Sequence, residues 1–134
     1  DPDALDAAVR SYSEGRAPVG WGLALARIAA ELGIRGDVAA AVAMHETGRF
    51  DYRNRDNPPF GVRPEMNNFC GLKTRDSTAS ASFPTVDAGI RALVAHLAWY
   101  AFPTHRVWCD SGVDPRHFRG ATHEHGGYER VLRR

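Results

Sequence analysis

A long stretch of the sequence, residues 50–83, contains no apolar residues at helical spacing. It is rich in Pro, Gly, Asn, Asp, Ser and Thr, whereas the segments on either side show a clear helical period. So long a connection without regular structure is uncommon in a compact domain and is usually functional or folded into a small lobe. We therefore expect a helical protein with a polar lobe inserted in its middle, in which residues 68–73 and 79–83 form the strands of a β-hairpin.

Five segments outside this stretch predict helices: residues 4–12, 19–32, 37–48, 84–101 and 128–132. The second carries the strongest apolar stripe, formed by Trp21, Leu25, Ile28 and Leu32. A chain of 134 residues is long enough to bury a modest single core. The expected architecture is one domain, residues 1–134, that is mainly α, with about five helices and the hairpin lobe between the third and fourth.

The charge balance and hydropathy of the chain exclude two classes of partner. With 17 basic and 16 acidic residues the formal net charge is +1, which gives no electrostatic case for nucleic-acid binding. No apolar run approaches the length that spans a membrane. The two cysteines, Cys70 and Cys109, either pair and close a loop or remain separate buried thiols, and their spacing leaves both alternatives open.

The third predicted helix ends on a carboxylate where an apolar side chain is expected. Val38 and Val42 share one stripe, and Glu46 lies one turn further along it. Asp37 is the predicted N-cap, and Gly48 the predicted residue just past the C-terminus. Glu46 would then face inward at the negative end of the helix dipole, and both placements favour its protonated form. Such a carboxyl group can act as a general acid, whereas a glutamate at a frayed helix end would only point to water.

The metal and nucleophile motifs that the sequence suggests are incomplete. His45 and Glu46 begin an H-E-x-x-H zinc motif, but Arg49 occupies the position of the second histidine. The H-E-H run at residues 123–125 lies in a glycine-flanked segment, where such side chains are usually solvated. No glycine-rich phosphate loop and no serine-nucleophile motif is present. The sequence therefore predicts no cofactor and no metal, and carboxylate chemistry remains.

A two-carboxylate glycosidase would need a second acid besides Glu46. Asp76 is the favoured partner because it falls at the turn of the predicted hairpin, from which the lobe can carry it over a substrate. Asp51 is too near Glu46 in sequence to lie freely across a cleft, and Asp56 and Glu65 are further candidates in the lobe. Sugar sites also need flat rings and amide groups, for which the candidates are Tyr52, Phe60, Phe69, Phe83, Trp99, Tyr100, Tyr128, Asn67 and Asn68.

Four segments together carry a family resemblance. They are GIRGDVAAAVAMHETGRF at 33–50, NNFCGLK at 67–73, SFPTVDAGIRALVAHLAWYA at 82–101 and VDPRHF at 113–118. In this order and spacing they resemble the bacterial peptidoglycan N-acetylglucosaminidases of glycoside hydrolase family 73, over nearly the whole chain from about residue 12 to 128. The resemblance implies a lysozyme-like α+β fold that cleaves the β-1,4 bond after N-acetylglucosamine in glycan strands of peptidoglycan.

The resemblance also implies roles for individual residues. The glutamate of the family's E-[TS]-G motif falls on Glu46, and its C-terminal tyrosine falls on Tyr128. Its second carboxylate, sought in the β lobe, matches Asp76 loosely. The residue after Tyr128 is Glu129 instead of the usual glycine, and residues 123–127 replace the family's G-x-W-A element. The implied substrate-binding residues are Asn67, Asn68, Phe69, Gly71 and Phe83.

Two mechanisms fit a glycosidase in which Glu46 is the only acid with a definite assignment. Water activated by a distant base attacks the anomeric carbon, or the N-acetyl oxygen of the substrate attacks it, with Tyr128 or Asn68 orienting the acetamide. The alternatives are a lytic transglycosylase, which leaves anhydro-muramic ends, and a non-catalytic wall-binding module. We expect a monomer that acts on peptidoglycan glycan strands and that is secreted, held at the cell wall, or delivered there by a phage or as an effector.

Overall fold

A computed structural model describes residues 1–53, 61–75 and 78–102, together with the backbone of residues 118–119. This part of the chain is mostly helical, which confirms the mainly α prediction. Its α-helices are α1 Pro2–Tyr12, α2 Trp21–Glu31, α3 Gly36–Glu46 and α4 Val86–Ala101. Between α3 and α4 the chain forms a 3₁₀ turn, Pro64–Met66, and a short strand, β1 Lys73–Thr74. A second short strand, β2 Phe118–Arg119, follows α4.

The helices begin where side chains can satisfy the first backbone N–H groups. Asp1 accepts hydrogen bonds from the backbone of the first turn of α1, and Thr85 does the same for α4. Helix α3 differs, because its N-cap is Arg35, which makes no side-chain cap bond. The prediction that Asp37 caps α3 is therefore wrong. Asp37 lies in the first turn and pairs with Arg35 at 2.5 Å, and this hydrogen bond lowers the pKa of its carboxyl group.

The core is built around α2, which packs against both α1 and α4. The predicted stripe of α2 is confirmed, since Trp21, Leu25 and Ile28 are fully buried. Helix α1 approaches closely at Gly22, where a Cβ atom would lie 2.4 Å from Cα of Asp6. Across the described ranges, no helix is both long enough and apolar enough to cross a membrane.

The described residues between α3 and α4 do not show a complete two-stranded hairpin. Strand β1 pairs antiparallel with β2, whereas the predicted second strand of the hairpin, residues 79–83, meets β1 through a single antiparallel bridge. One bridge joins Lys73 to Ser80, and the N–H of Ala81 donates to the carbonyl of Leu72 at 2.8 Å. The predicted fifth helix, residues 128–132, lies outside the described residues.

Candidate functional site

Glu46, the last residue of α3, lies on the wall of a cleft of about 470 Å³. Its lining comes from the end of α3 and the turn after it, together with residues from the segment 62–73. We call it the Glu46 cleft. The described residues that line it are His45, Glu46, Thr47, Gly48, Tyr52, Arg53, Val62, Gly71 and Lys73.

A second cavity, of about 600 Å³, lies at the N-terminal ends of α1 and α3. Its wall includes Leu5 and Ile34 together with Arg35 and Asp37, whose charges already pair with each other. Glu46 is not part of this wall. We take the smaller cleft as the candidate site because it contains the carboxylate that carries the predicted chemistry.

The side chain of Glu46 is exposed, so the prediction that it faces inward is wrong. The buried face of α3 is made by Ala39, Ala40 and Ala43, whereas Val38 and Val42 are only half-buried at the edge of that face. Glu46 lies one turn after Val42 on the same edge of the helix, where its side chain is exposed. It therefore reaches the Glu46 cleft and not the interior.

The turn after α3 folds the chain back against the end of the helix. Thr47 is buried, and its Oγ1 donates to the carbonyl of Ala43 at 2.7 Å and accepts from the N–H of Phe50 at 2.9 Å. Gly48 has a φ of +59°, as expected for the residue past a helix C-terminus, and Arg49 and Phe50 continue this left-handed backbone at +60° and +61°. The N–H of Tyr52 then donates to the carbonyl of Thr47 at 2.9 Å. Tyr52 is thereby returned to the wall beside Glu46.

An aromatic cluster joins the turn after α3 to the segment that carries Gly71. The ring of Trp21 in α2 contacts Phe50 edge-on at 5.1 Å and Phe69 edge-on at 5.4 Å between centroids. Phe50 also contacts Tyr52 at 6.5 Å. Phe69 is 1% exposed, so its ring belongs to the core, and its predicted contact with substrate stays a prediction. Its ring fixes the segment that carries Gly71 against the turn that follows Glu46.

Asn68 also has a structural role. Its side chain is fully buried, and its amide nitrogen donates to the carbonyls of Leu72 and Ala81, both at 2.9 Å. Its Oδ1 accepts from the N–H of Leu72 at 2.9 Å. The amide is thus engaged with backbone, and its predicted roles in binding substrate or orienting an acetamide stay predictions.

Asn67 and Phe83 meet each other outside the described lining of the cleft. Asn67 has a φ of +50° and donates from Nδ2 to the carbonyl of Phe83 at 3.0 Å. Phe83 packs on a small apolar cluster that includes Leu72 and Ala92. Their predicted contact with substrate therefore remains a prediction.

Gly71 is the predicted substrate-binding residue that the structure brings to Glu46. Its backbone is left-handed, with a φ of +67°, and a Cβ atom on it would lie 3.9 Å from Oε2 of Glu46. The segment NNFCGL thus meets the E-T-G segment through this glycine. Because glycine has no side chain here, the carboxyl group stays open to the cleft.

The next residue back in this segment, Cys70, is a free thiol. Cys109 lies outside the described residues, so the alternative of a bridge between Cys70 and Cys109 stays a prediction. Burial raises the pKa of the Cys70 thiol, and the nearby negative charge of Glu46 raises it further. Cys70 is therefore protonated, and so a weak nucleophile, at neutral pH.

The cations and the phenol in the cleft differ in their environments. Burial raises the pKa of Tyr52 to about 12, so its hydroxyl keeps its proton. Arg53 is largely exposed and pairs with Asp51 at 2.7 Å. Lys73 is half-buried, its Nζ donates to Oγ of Ser80 at 2.7 Å, and burial lowers its pKa.

Glu46 is the only carboxylate among the described residues that line the cleft. Of the candidates for a second acid, Glu65 pairs with Arg63 at 2.9 Å, and neither it nor Asp51 belongs to this lining. Asp76, Asp56 and Tyr128 lie outside the described residues, as do Phe60 and residues 123–127. The second carboxylate and the C-terminal tyrosine therefore stay predictions.

Sequence reasoning missed Lys73, Arg53 and Val62 as members of the cleft. For Lys73 a signal was present, because it is the single lysine of the chain and directly follows the segment NNFCGL. No family model, no curated protein and no solved structure matches this chain. The function is therefore inferred from the geometry of the Glu46 cleft and from the motifs that resemble glycoside hydrolase family 73.

Proposed function

We propose that the protein hydrolyses the β-1,4 bond after N-acetylglucosamine in peptidoglycan glycan strands, as a glycosidase resembling glycoside hydrolase family 73. One observation carries the proposal: the carboxyl group of Glu46 lies on a cleft wall against Gly71 of the NNFCGL segment. The E-T-G and NNFCGL segments, which both carry the family resemblance, thus meet at the exposed carboxyl group of Glu46. A lysozyme-like fold, a monomeric state and a location at the cell wall belong to the same proposal.

Glu46 acts in this proposal as the general acid. It donates its proton to the glycosidic oxygen as the bond to the anomeric carbon breaks. Since the side chain is exposed, the bound glycan itself would cover it and exclude water from around the carboxyl group. The free protein therefore need not bury this acid in advance.

Substrate assistance is the mechanism that fits the described cleft. With Glu46 as the only described carboxylate in the lining, the N-acetyl oxygen of the substrate attacks the anomeric carbon and forms a cyclic intermediate. Water then opens this intermediate, and the Glu46 carboxylate accepts the proton that water loses. The hydroxyl of Tyr52, which keeps its own proton, can donate a hydrogen bond that orients the acetamide.

A lytic transglycosylase is the second candidate, because Glu46 as the one carboxylate of the described lining also fits that reaction. The experiment that separates the two is digestion of purified sacculi, with the new chain ends identified by mass spectrometry. The proposal predicts reducing N-acetylglucosamine ends. Anhydro-muramic ends would establish the transglycosylase, and the absence of any new ends in an actively binding protein would establish a wall-binding module.

A further inference from the structure

The turn after α3, residues 47–52, holds three non-glycine residues in the left-handed region of backbone conformation. The φ angles are +60° at Arg49, +61° at Phe50 and +50° at Tyr52. A side chain makes this conformation unfavourable, so it persists only where the surrounding structure holds it. The hydrogen bonds to Thr47 hold the turn from within. A second restraint comes from outside the turn.

The loop between α1 and α2 supplies this second restraint through Arg16. Nε of Arg16 donates to the carbonyl of Arg49 at 3.2 Å, and the two residues are 33 positions apart in the sequence. That carbonyl belongs to the peptide that joins Arg49 to Phe50, the two adjacent non-glycine residues with a left-handed backbone. The hydrogen bond therefore fixes the direction of the peptide at the most strained point of the turn.

Glu14 joins the two arginines and completes the contact. Its Oε2 accepts from Nη1 of Arg16 at 3.0 Å, and its Oε1 lies 3.6 Å from Nη1 of Arg49. The side chain of Arg16 is 32% exposed, against 53% for Arg49. The loop is itself anchored, because Ser13 is fully buried and its Oγ accepts from the N–H of Ala17 at 3.2 Å. Arg16 is therefore the better-held end of the contact, and the turn is the end that it restrains.

The turn contributes to the Glu46 cleft, whereas Arg16 acts from outside it. Gly48 and Tyr52 belong to the described lining, and Arg16 does not. We propose that Arg16 is a positioning residue for the reaction at Glu46. It acts through the carbonyl of Arg49 and keeps Tyr52 in the lining of the cleft. This inference rests on the proposed function, since it names a residue outside the cleft that supports the same reaction.

The core keeps the turn folded when Arg16 is replaced. Phe50 is 4% exposed and Tyr52 is 7% exposed, and the ring of Phe50 contacts Trp21 edge-on. These contacts do not involve Arg16, so its substitution should loosen the turn and leave the fold intact. Because a single hydrogen bond of a partly exposed side chain contributes modestly, we expect severalfold effects.

Amide hydrogen exchange, measured by NMR, tests the restraint without any substrate. Arg16→Met removes the donor and keeps the chain length, and Arg10→Met, at an exposed position in the last turn of α1, is the matched control. We expect the amides of Phe50 and Tyr52 to exchange about threefold to tenfold faster in Arg16→Met. The amide of Ile28, in the buried stripe of α2, should keep its wild-type rate, and Arg10→Met should match the wild type throughout. Unchanged exchange at Phe50 and Tyr52, or an equal increase at Ile28, would overturn the inference.

A double-mutant cycle then tests whether the restraint acts on the reaction through Tyr52. With soluble peptidoglycan fragments, we expect Arg16→Met to lower kcat about threefold to tenfold with little change in KM. In the Tyr52→Phe background the same substitution should have almost no further effect. An equal fall in kcat in both backgrounds, or no fall in either, would contradict the inference while the proposed function stands. If the wild-type protein releases no new chain ends, the proposed function fails, and the positioning role of Arg16 in cleavage fails with it.

Discussion

The buried amide of Asn68 connects its own segment to the backbone of Leu72 and Ala81 through hydrogen bonds that lie away from solvent. Asn68→Ala would leave the carbonyl of Ala81 and the N–H of Leu72 without their Asn68 partner, and the carbonyl of Leu72 would keep only its bond from the N–H of Ala81. We expect this variant to lose about 3 kcal/mol of unfolding free energy, measured by urea denaturation. Asn67→Gly is the matched control, since it loses one hydrogen bond and keeps a left-handed backbone accessible. Equal stability of the two variants would show that the Asn68 network is unimportant.

The hydroxyl of Tyr52 is the atom that the substrate-assisted mechanism assigns to the acetamide. Tyr52→Phe removes only that oxygen and leaves the ring contact with Phe50 in place. We expect kcat to fall about tenfold to hundredfold with little change in KM, because the contact matters most in the transition state. Tyr12→Phe, at an exposed position on α1, is the control and should leave kcat and KM unchanged. Wild-type kcat in Tyr52→Phe would remove Tyr52 from the mechanism.

Residue type alone could not predict these roles. An asparagine in a polar stretch binds a sugar or satisfies buried backbone, and the difference lies in whether tertiary neighbours already use its amide. Asn68 belongs to the second kind, and Phe69 is likewise drawn into the core by Trp21. Gly71, which the resemblance assigns to the substrate-binding segment, lies in the lining of the Glu46 cleft, and its predicted contact with substrate stays a prediction.

At the scale of elements, the turn after α3 determines the positions of Glu46 and Tyr52 in the lining of the Glu46 cleft. Thr47→Val would keep the size of the side chain but leave the buried N–H of Phe50 without an acceptor. We expect a loss of about 2 kcal/mol of unfolding free energy together with lower activity. Thr47→Ser retains the hydroxyl and should behave almost as the wild type. If Thr47→Val matched Thr47→Ser in thermal unfolding and activity, the Oγ1 bonds would not organise the turn.

Helices were predicted well because their evidence is local. The apolar stripes of α2 and α4 repeat over several turns, and burial follows them closely. The start of α3 and the pairing of β1 with β2 were missed for different reasons. Helix ends depend on capping geometry that varies by a residue or two, and β1 pairs with a strand far along the chain, which no local pattern encodes.

At the scale of the whole molecule, His96 on α4 couples stability to pH. Its Nδ1 is buried and has no hydrogen-bond partner among the residues that the structure describes, and burial lowers its pKa to about 4. The unfolded chain takes up a proton below about pH 6.5, whereas the folded protein does so only near pH 4. Stability contributed by the neutral histidine is therefore lost as the pH falls through this window, by at most about 3 kcal/mol.

His96→Leu tests this coupling, because it removes the titrating group and can fill the same apolar space. We expect the slope of unfolding free energy against pH between about 4 and 6.5 to become shallower than in the wild type. His45→Gln removes an exposed histidine at the cleft and should keep the wild-type slope. The same slope in all three proteins would show that His96 does not control acid stability.

The central claim is that the carboxyl group of Glu46 is the proton donor for glycan cleavage. The most direct measurement is the rate at which purified sacculi release new chain ends with wild-type protein and with Glu46→Gln, whose exposed position should leave folding intact by circular dichroism. We predict at least a hundredfold lower rate for the variant, as the loss of a general acid requires. Release at a near-wild-type rate by a folded Glu46→Gln protein would contradict the account.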